Sequence, residues 1–126
     1  MNAKRLSLAA TLLLSPLGAV AGPDDMARIV TQNVKPADCI SRVAIRQING
    51  EEKFVSPQGF DLEPGHYTLA GTVALDTSYC KAPQRRSPIN APPLEAEFEA
   101  GKTYYIGFDH SSTNREEWRY VIWKVE

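Results

Sequence analysis

Apolar and polar residues alternate with a period of two over most of the chain, which is the mark of strands with one buried face. Ser41 to Ile48 places Val43 and Ile45 on one side and Arg42, Ala44 and Arg46 on the other. Asn49-Gly50 follows, and because both residues tolerate positive φ the pair predicts a tight hairpin, returning as Glu52 to Val55. Ser56-Pro57-Gln58-Gly59 turns the chain again. Phe60 to Leu62 then leads through Glu63-Pro64-Gly65, suited to a type II turn, into a long strand, His66 to Leu75. There Tyr67, Leu69, Val73 and Leu75 form the core face together with Gly71, whose missing side chain marks a bulge or a close contact. His66, Thr68, Ala70, Thr72 and Ala74 take the wet or lightly covered face. Further on, Leu94 to Glu99 points Leu94, Ala96 and Phe98 inward, and Thr103 to Asp109 does the same with Tyr104, Ile106 and Phe108. Trp118 to Val125 is the last strand. Met26 to Val34 reads as a strand, or as a short helical turn after Pro23-Asp24-Asp25, and no segment of eleven or more residues carries a helical stripe.

About seven short strands with turn chemistry between them predict an all-β domain, a single small antiparallel β-sandwich of prealbumin-like or Ig-like type. One stretch breaks the pattern. Residues 76–93 hold Pro83, Pro88, Pro92, Pro93 and the pair Arg85-Arg86, a long proline-rich loop for so small a domain. Cys39 and Cys80 are the only cysteines, and their number and spacing fit one structural disulfide better than a CxxC redox motif or a zinc site. That bond would bring the start of Ser41–Ile48 near the end of His66–Leu75, as an antiparallel or face-to-face pairing of the two strands requires.

The N-terminus has the three parts of a cleavable signal peptide: Lys4 and Arg5, an apolar run from Leu6 to Leu17, and Ala19-Val20-Ala21 ahead of the cut. The run is too short to span a bilayer, which takes roughly 20 residues, and no cysteine follows it closely enough for a lipid anchor. Residues 1–21 are therefore expected to be removed, leaving 22–126 as one domain, periplasmic or secreted, with no transmembrane anchor. The chain carries 14 basic and 15 acidic residues. Loss of Lys4 and Arg5 takes the balance to about −3, without the basic stripe of a nucleic-acid binder.

Phe60-x-Leu62-x-Pro64-Gly65-x-Tyr67-x-Leu69, followed by Ala100-Gly101-Lys102-Thr103-Tyr104-Tyr105-Ile106, resembles a pattern common in small exported bacterial domains, the PEGA-like sandwiches and a related envelope domain of unknown function. The likeness spans roughly Val43 to Phe108. It implies a sandwich that binds or builds rather than catalyses, and it brings no catalytic residues with it.

The residues themselves offer little chemistry. Asp109-His110-Ser111 has the right types for a relay, but adjacent side chains cannot form one. No catalytic residue and no cofactor is expected. His66 and His110, with Asp109 or a nearby Glu, are the only candidates for a metal site. Glu95, Glu97 and Glu99 form an acidic row, best read as a solvated face or a charge-protected edge. Trp118 and Trp123 lie five positions apart and so face opposite sides of a regular strand. One of them is expected to be exposed or covered by the N-terminal segment, and an exposed Trp is a frequent anchor for a partner. The surface expected to bind is Arg85, Arg86, Trp118, Tyr120 and Trp123, on a non-catalytic envelope protein that docks a protein or cell-wall partner. The alternative is a small-ligand or metal-binding periplasmic domain.

Overall fold

A computed structural model describes residues 23–80 and 91–126. Asn49 and Gly50 both take positive φ, 54° and 82°, so the predicted hairpin forms with the primed turn whose twist matches its strands. Its arms are β2 (Ile40–Ile48) and β3 (Glu51–Glu52). The return arm is shorter than Glu52–Val55, and Phe54 and Val55 lie outside it. The other strands are β1 (Ala27–Val30), β4 (Gly59–Leu62), β5 (Gly65–Ala74), β6 (Leu94–Phe98), β7 (Thr103–Asp109) and β8 (Arg119–Val125). The N-terminal stretch divides, with a 3₁₀ turn at Pro23–Asp25 and a strand only over Ala27–Val30.

These eight strands form one sheet in the order β4-β1-β7-β2-β5-β6, with β3 added to β2 and β8 to β7. The expectation of an antiparallel arrangement throughout is corrected at one place: β1 runs parallel to β7, Arg28 opposite Thr103 and Val30 opposite Tyr105. The remaining pairings are antiparallel. The two segments of the parallel pair are separated by most of the chain, and alternation says which residues are inward but not which strand lies alongside.

The sheet doubles over on itself. β6 and β7 are separated in the order by β2 and β5, yet Phe98 and Tyr104 meet edge to face at 4.8 Å and the Tyr104 hydroxyl accepts the Glu99 N–H at 2.8 Å. Between the layers lie Ile29, Val43, Ile45, Leu69, Phe98, Ile106 and Phe108, all buried. β7 sits mid-sheet because β1 and β2 share one of its sides, β1 along its first half and β2 at its end, while β8 takes the other.

A second bond joins the layers at Gly71. The β2–β5 ladder slips between Ile45 and Gln47, leaving Arg46 as the extra residue of a bulge beside Gly71. A Cβ at Gly71 would overlap the Ala44 carbonyl, so only glycine fits. From β8, the Tyr120 hydroxyl donates to the Gly71 carbonyl at 2.8 Å and accepts the Gly71 N–H at 3.3 Å.

Cys39 and Cys80 form the expected disulfide. It ties the start of β2 to the chain leaving β5, and of the two arrangements that satisfy this closure the strands take the antiparallel one, Arg42 opposite Ala74. With a sequence separation of 41, loop-closure entropy contributes at most about 4 kcal/mol. Tyr120→Phe strands both polar groups of Gly71 and is expected to lower the unfolding free energy by about 1–3 kcal/mol. Gly71→Ala should cost more, because backbone must move to admit the methyl group. Urea unfolding of the oxidised protein checks both, and an unchanged midpoint for Tyr120→Phe would remove the clamp from the account of stability.

Candidate functional site

The residues expected to bind are distributed between surface and core. Trp118 and Tyr120 are buried, 7% and 9% exposed, which corrects their placement on a partner-binding surface. Phe108 packs edge-on against Tyr120 at 5.4 Å and Trp118 at 6.5 Å, and the Trp118 indole N–H donates to the Ser112 carbonyl at 2.8 Å. These rings close the end of the core instead of facing a partner. Trp123 takes the opposite side as five-residue spacing requires. It is the extra residue where the β7–β8 register slips, half-buried against Tyr105 at 5.3 Å, with the Lys35 ammonium 5.5 Å from its ring centre. The segment before β2 thus covers the second Trp. Arg85 and Arg86, like residues 1–21, which are expected to form a leader, lie outside the described residues.

His66 and His110 do not meet. His66 is exposed at the start of β5, whereas His110 lies beside Ser41 and Asp76 at its far end. At 3.3 Å per residue, ten residues of strand put them roughly 30 Å apart. Among the described residues, no group of three or more His, Cys, Asp and Glu is placed to hold a metal ion.

His110 departs most from expectation. Its polar stretch reads as a solvated loop, yet the ring is 3% exposed and the Ser41 beside it 0%. Nε2 lies 2.6 Å from Ser41 Oγ, and Oγ also accepts the Asp76 N–H at 2.8 Å. The His110 N–H is held by the Cys39 carbonyl and the ring edge packs on Trp118. Nδ1 has no partner. Among the described residues the Ser41 hydrogen has one acceptor in reach, Nε2, which favours the Nδ1–H tautomer with one unpaired N–H. The other tautomer leaves two groups unpaired, the Ser41 hydrogen and the Nδ1 lone pair, and an unpaired buried group costs about 1–3 kcal/mol. Burial lowers the His110 pKa below its ordinary 6.5, against a smaller opposing pull from Asp109 and Asp76. Serine and histidine at hydrogen-bond distance are the start of a nucleophilic pair, but here the hydroxyl does not reach solvent.

His66 has the opposite surroundings. Nε2–H donates to Glu95 at 2.9 Å and Nδ1–H to Glu97 at 3.2 Å, across the β5–β6 ladder where His66 faces Glu97. Both bonds are made at once only by the imidazolium, so the two carboxylates favour the charged ring. Its pKa is raised above 6.5, first by the bond to Glu95 and then by that to Glu97. The acidic row is therefore a structural face in part, holding an edge strand.

Alternation does not single out Phe54, which is fully exposed at 104% of its reference area. It follows β3, where the Lys53 N–H bonds back to the Arg46 carbonyl at 3.0 Å and the chain then leaves the sheet. Hollows flank it on two sides. An open trough of about 680 Å³ has Ala70, Gly71 and Thr72 as its floor and Arg46, Gln47, Glu52 and Lys53 around it. A smaller hollow of about 210 Å³ lies against Ala44, Ile45, Val55 and Pro57. The bulge places Arg46 beside the trough, and the small residues Ala70, Gly71 and Thr72 line it from β5.

The histidines should separate in an NMR titration, His66 above 6.5 and His110 below it. Glu95→Gln with Glu97→Gln should bring His66 down, and coincident midpoints for the two rings would contradict both environments. In stability the signs differ. The raised His66 pKa contributes below about pH 6.5, and this is lost as pH rises through its folded value. The lowered His110 pKa costs stability as pH falls below about 6.5, levelling once the folded value is passed. Comparison with family models, with curated proteins and with solved structures finds no match to the chain.

Proposed function

We propose that this chain is an exported, non-catalytic binding module of the cell envelope that docks a protein or cell-wall partner through the trough beside Phe54. The carrying observation is Phe54 itself, a large apolar side chain left wholly in water. Transfer of such a ring out of water contributes about 1.5–3 kcal/mol, so a partner that covers it gains an anchor. Arg46, beside it, supplies a planar five-donor group suited to carboxylate or phosphate. The leader at 1–21 and the Cys39–Cys80 disulfide support export, and no helix among the described residues is long and apolar enough to cross a membrane. We read the doubled sheet as a sandwich, in keeping with the resemblance to PEGA-like domains.

Photo-crosslinking in intact cells tests the docking surface, with probes at Phe54 and Arg85 and a control at Lys102. A discrete adduct from Phe54 and not from Lys102 is the expected result. An adduct from Arg85 alone would move the docking surface to the 76–93 loop, and none from either would count against a partner. Export predicts a mature protein beginning at Gly22, read by mass spectrometry of the envelope fraction.

A further inference from the structure

We propose that His110, Ser41 and Asp76 form an acid-sensitive latch, holding the segment that leaves β5 against the start of β2 until His110 takes up a second proton. Three elements meet at this corner. β7 brings His110 at its end, β2 brings Ser41, and the chain after β5 brings the Asp76 N–H. Ser41 Oγ is the only atom bonded to both of the others, donating to Nε2 and accepting from Asp76.

A second proton on the imidazole inverts that arrangement. Nε2–H becomes a donor, so Ser41 has to accept from two sides and its own hydrogen loses its acceptor. Nδ1–H, without a partner among the described residues, then belongs to a cation. Among the described residues the ionisable groups that face the ring are Asp109 on its own strand and Asp76 opposite, and both carboxylates favour the charged form. Neither is bonded to the ring: Asp109 accepts from Ser111, and Asp76 accepts the Ser78 N–H, which holds its carboxyl below the usual range and keeps it charged. Their pull is smaller than the cost of burial, so the ring gains its proton by reaching water, which parts His110 from Ser41, removes the acceptor that orients the Ser41 hydroxyl and so loosens its hold on the Asp76 N–H. The Cys39–Cys80 bond, a few residues away on both chains, limits how far the corner opens. The movement is thus a tethered release of Asp76 to Cys80, at the mouth of the proline-rich loop, with the rest of the sheet intact. It is independent of what the trough binds.

Amide exchange by NMR on the oxidised protein tests this, with rates corrected for intrinsic pH dependence and repeated in low urea. A local opening makes Asp76 exchange insensitive to low urea, while the core amide of Ile106 follows it. The Asp76 opening constant is expected to rise by up to about tenfold from pH 7.5 to 5.5, the limit for one group of ordinary pKa 6.5 when open. In His110→Gln that rise should vanish. In Ser41→Ala, Asp76 should exchange freely at both pH values, which keeps the test available should His110→Gln fail to fold. A pH-independent Asp76 in the wild type, an unchanged rise in His110→Gln, or Asp76 exchange that tracks Ile106 in urea would each overturn the latch.

Discussion

A single hydroxyl fixes where β8 lies against β5. Tyr120 Oη serves the carbonyl and the N–H of one residue, Gly71, and so can sit in only one place relative to β5. That place is available because Gly71 has no side chain and because the β2 bulge turns its neighbour Arg46 outward. Much follows from this. With β5 and β8 held at one height, β6, running antiparallel along β5, carries Phe98 across to Tyr104. The bulge that opens room for the clamp is also what places Arg46 beside the trough, so the clamp and the candidate binding surface share one irregularity.

Strand positions were legible because each is enforced locally. Alternation gives Val43 and Ile45 their direction, and Asn49-Gly50 and Pro64-Gly65 supply backbone conformations that few other pairs adopt. The disulfide and the β2–β5 pairing were legible for a different reason, since two cysteines leave one partner each. What local pattern does not carry is the identity of neighbours across long separations, hence the parallel β1–β7 pair. His110 was missed because Asp109 to Arg115 is polar throughout. A signal existed elsewhere: Ser41 shares the inward face of β2 with Val43 and Ile45, and a hydroxyl in that position needs a buried partner.

The candidate site moved for an energetic reason. The last strand reads as the aromatic surface because two tryptophans five apart cannot both face the core of a regular strand. The protein resolves this without exposing either. Trp118 turns into the end of the core against Phe108 and His110, and the segment before β2 lays Lys35 over Trp123. Those rings are spent on cohesion. Phe54 stands apart because its chain leaves the sheet after Lys53, and no strand or loop among the described residues covers it.

The two histidines then show how position on one strand decides chemistry. His66 stands where β5 enters the sheet, in water between two carboxylates, and is most firmly held when charged. His110 stands where β5 hands the chain to the proline-rich loop, in a buried corner that disfavours the charged ring. Acid therefore tightens the β5–β6 edge at one end and loosens the Ser41 corner at the other. Both changes fall near the same ordinary pKa, so neither a charge count nor a pI reveals them. Their opposition also means that global stability can stay nearly level with pH while its distribution along β5 shifts. The disulfide lies at the end that loosens, where a covalent tie limits the opening to a few residues.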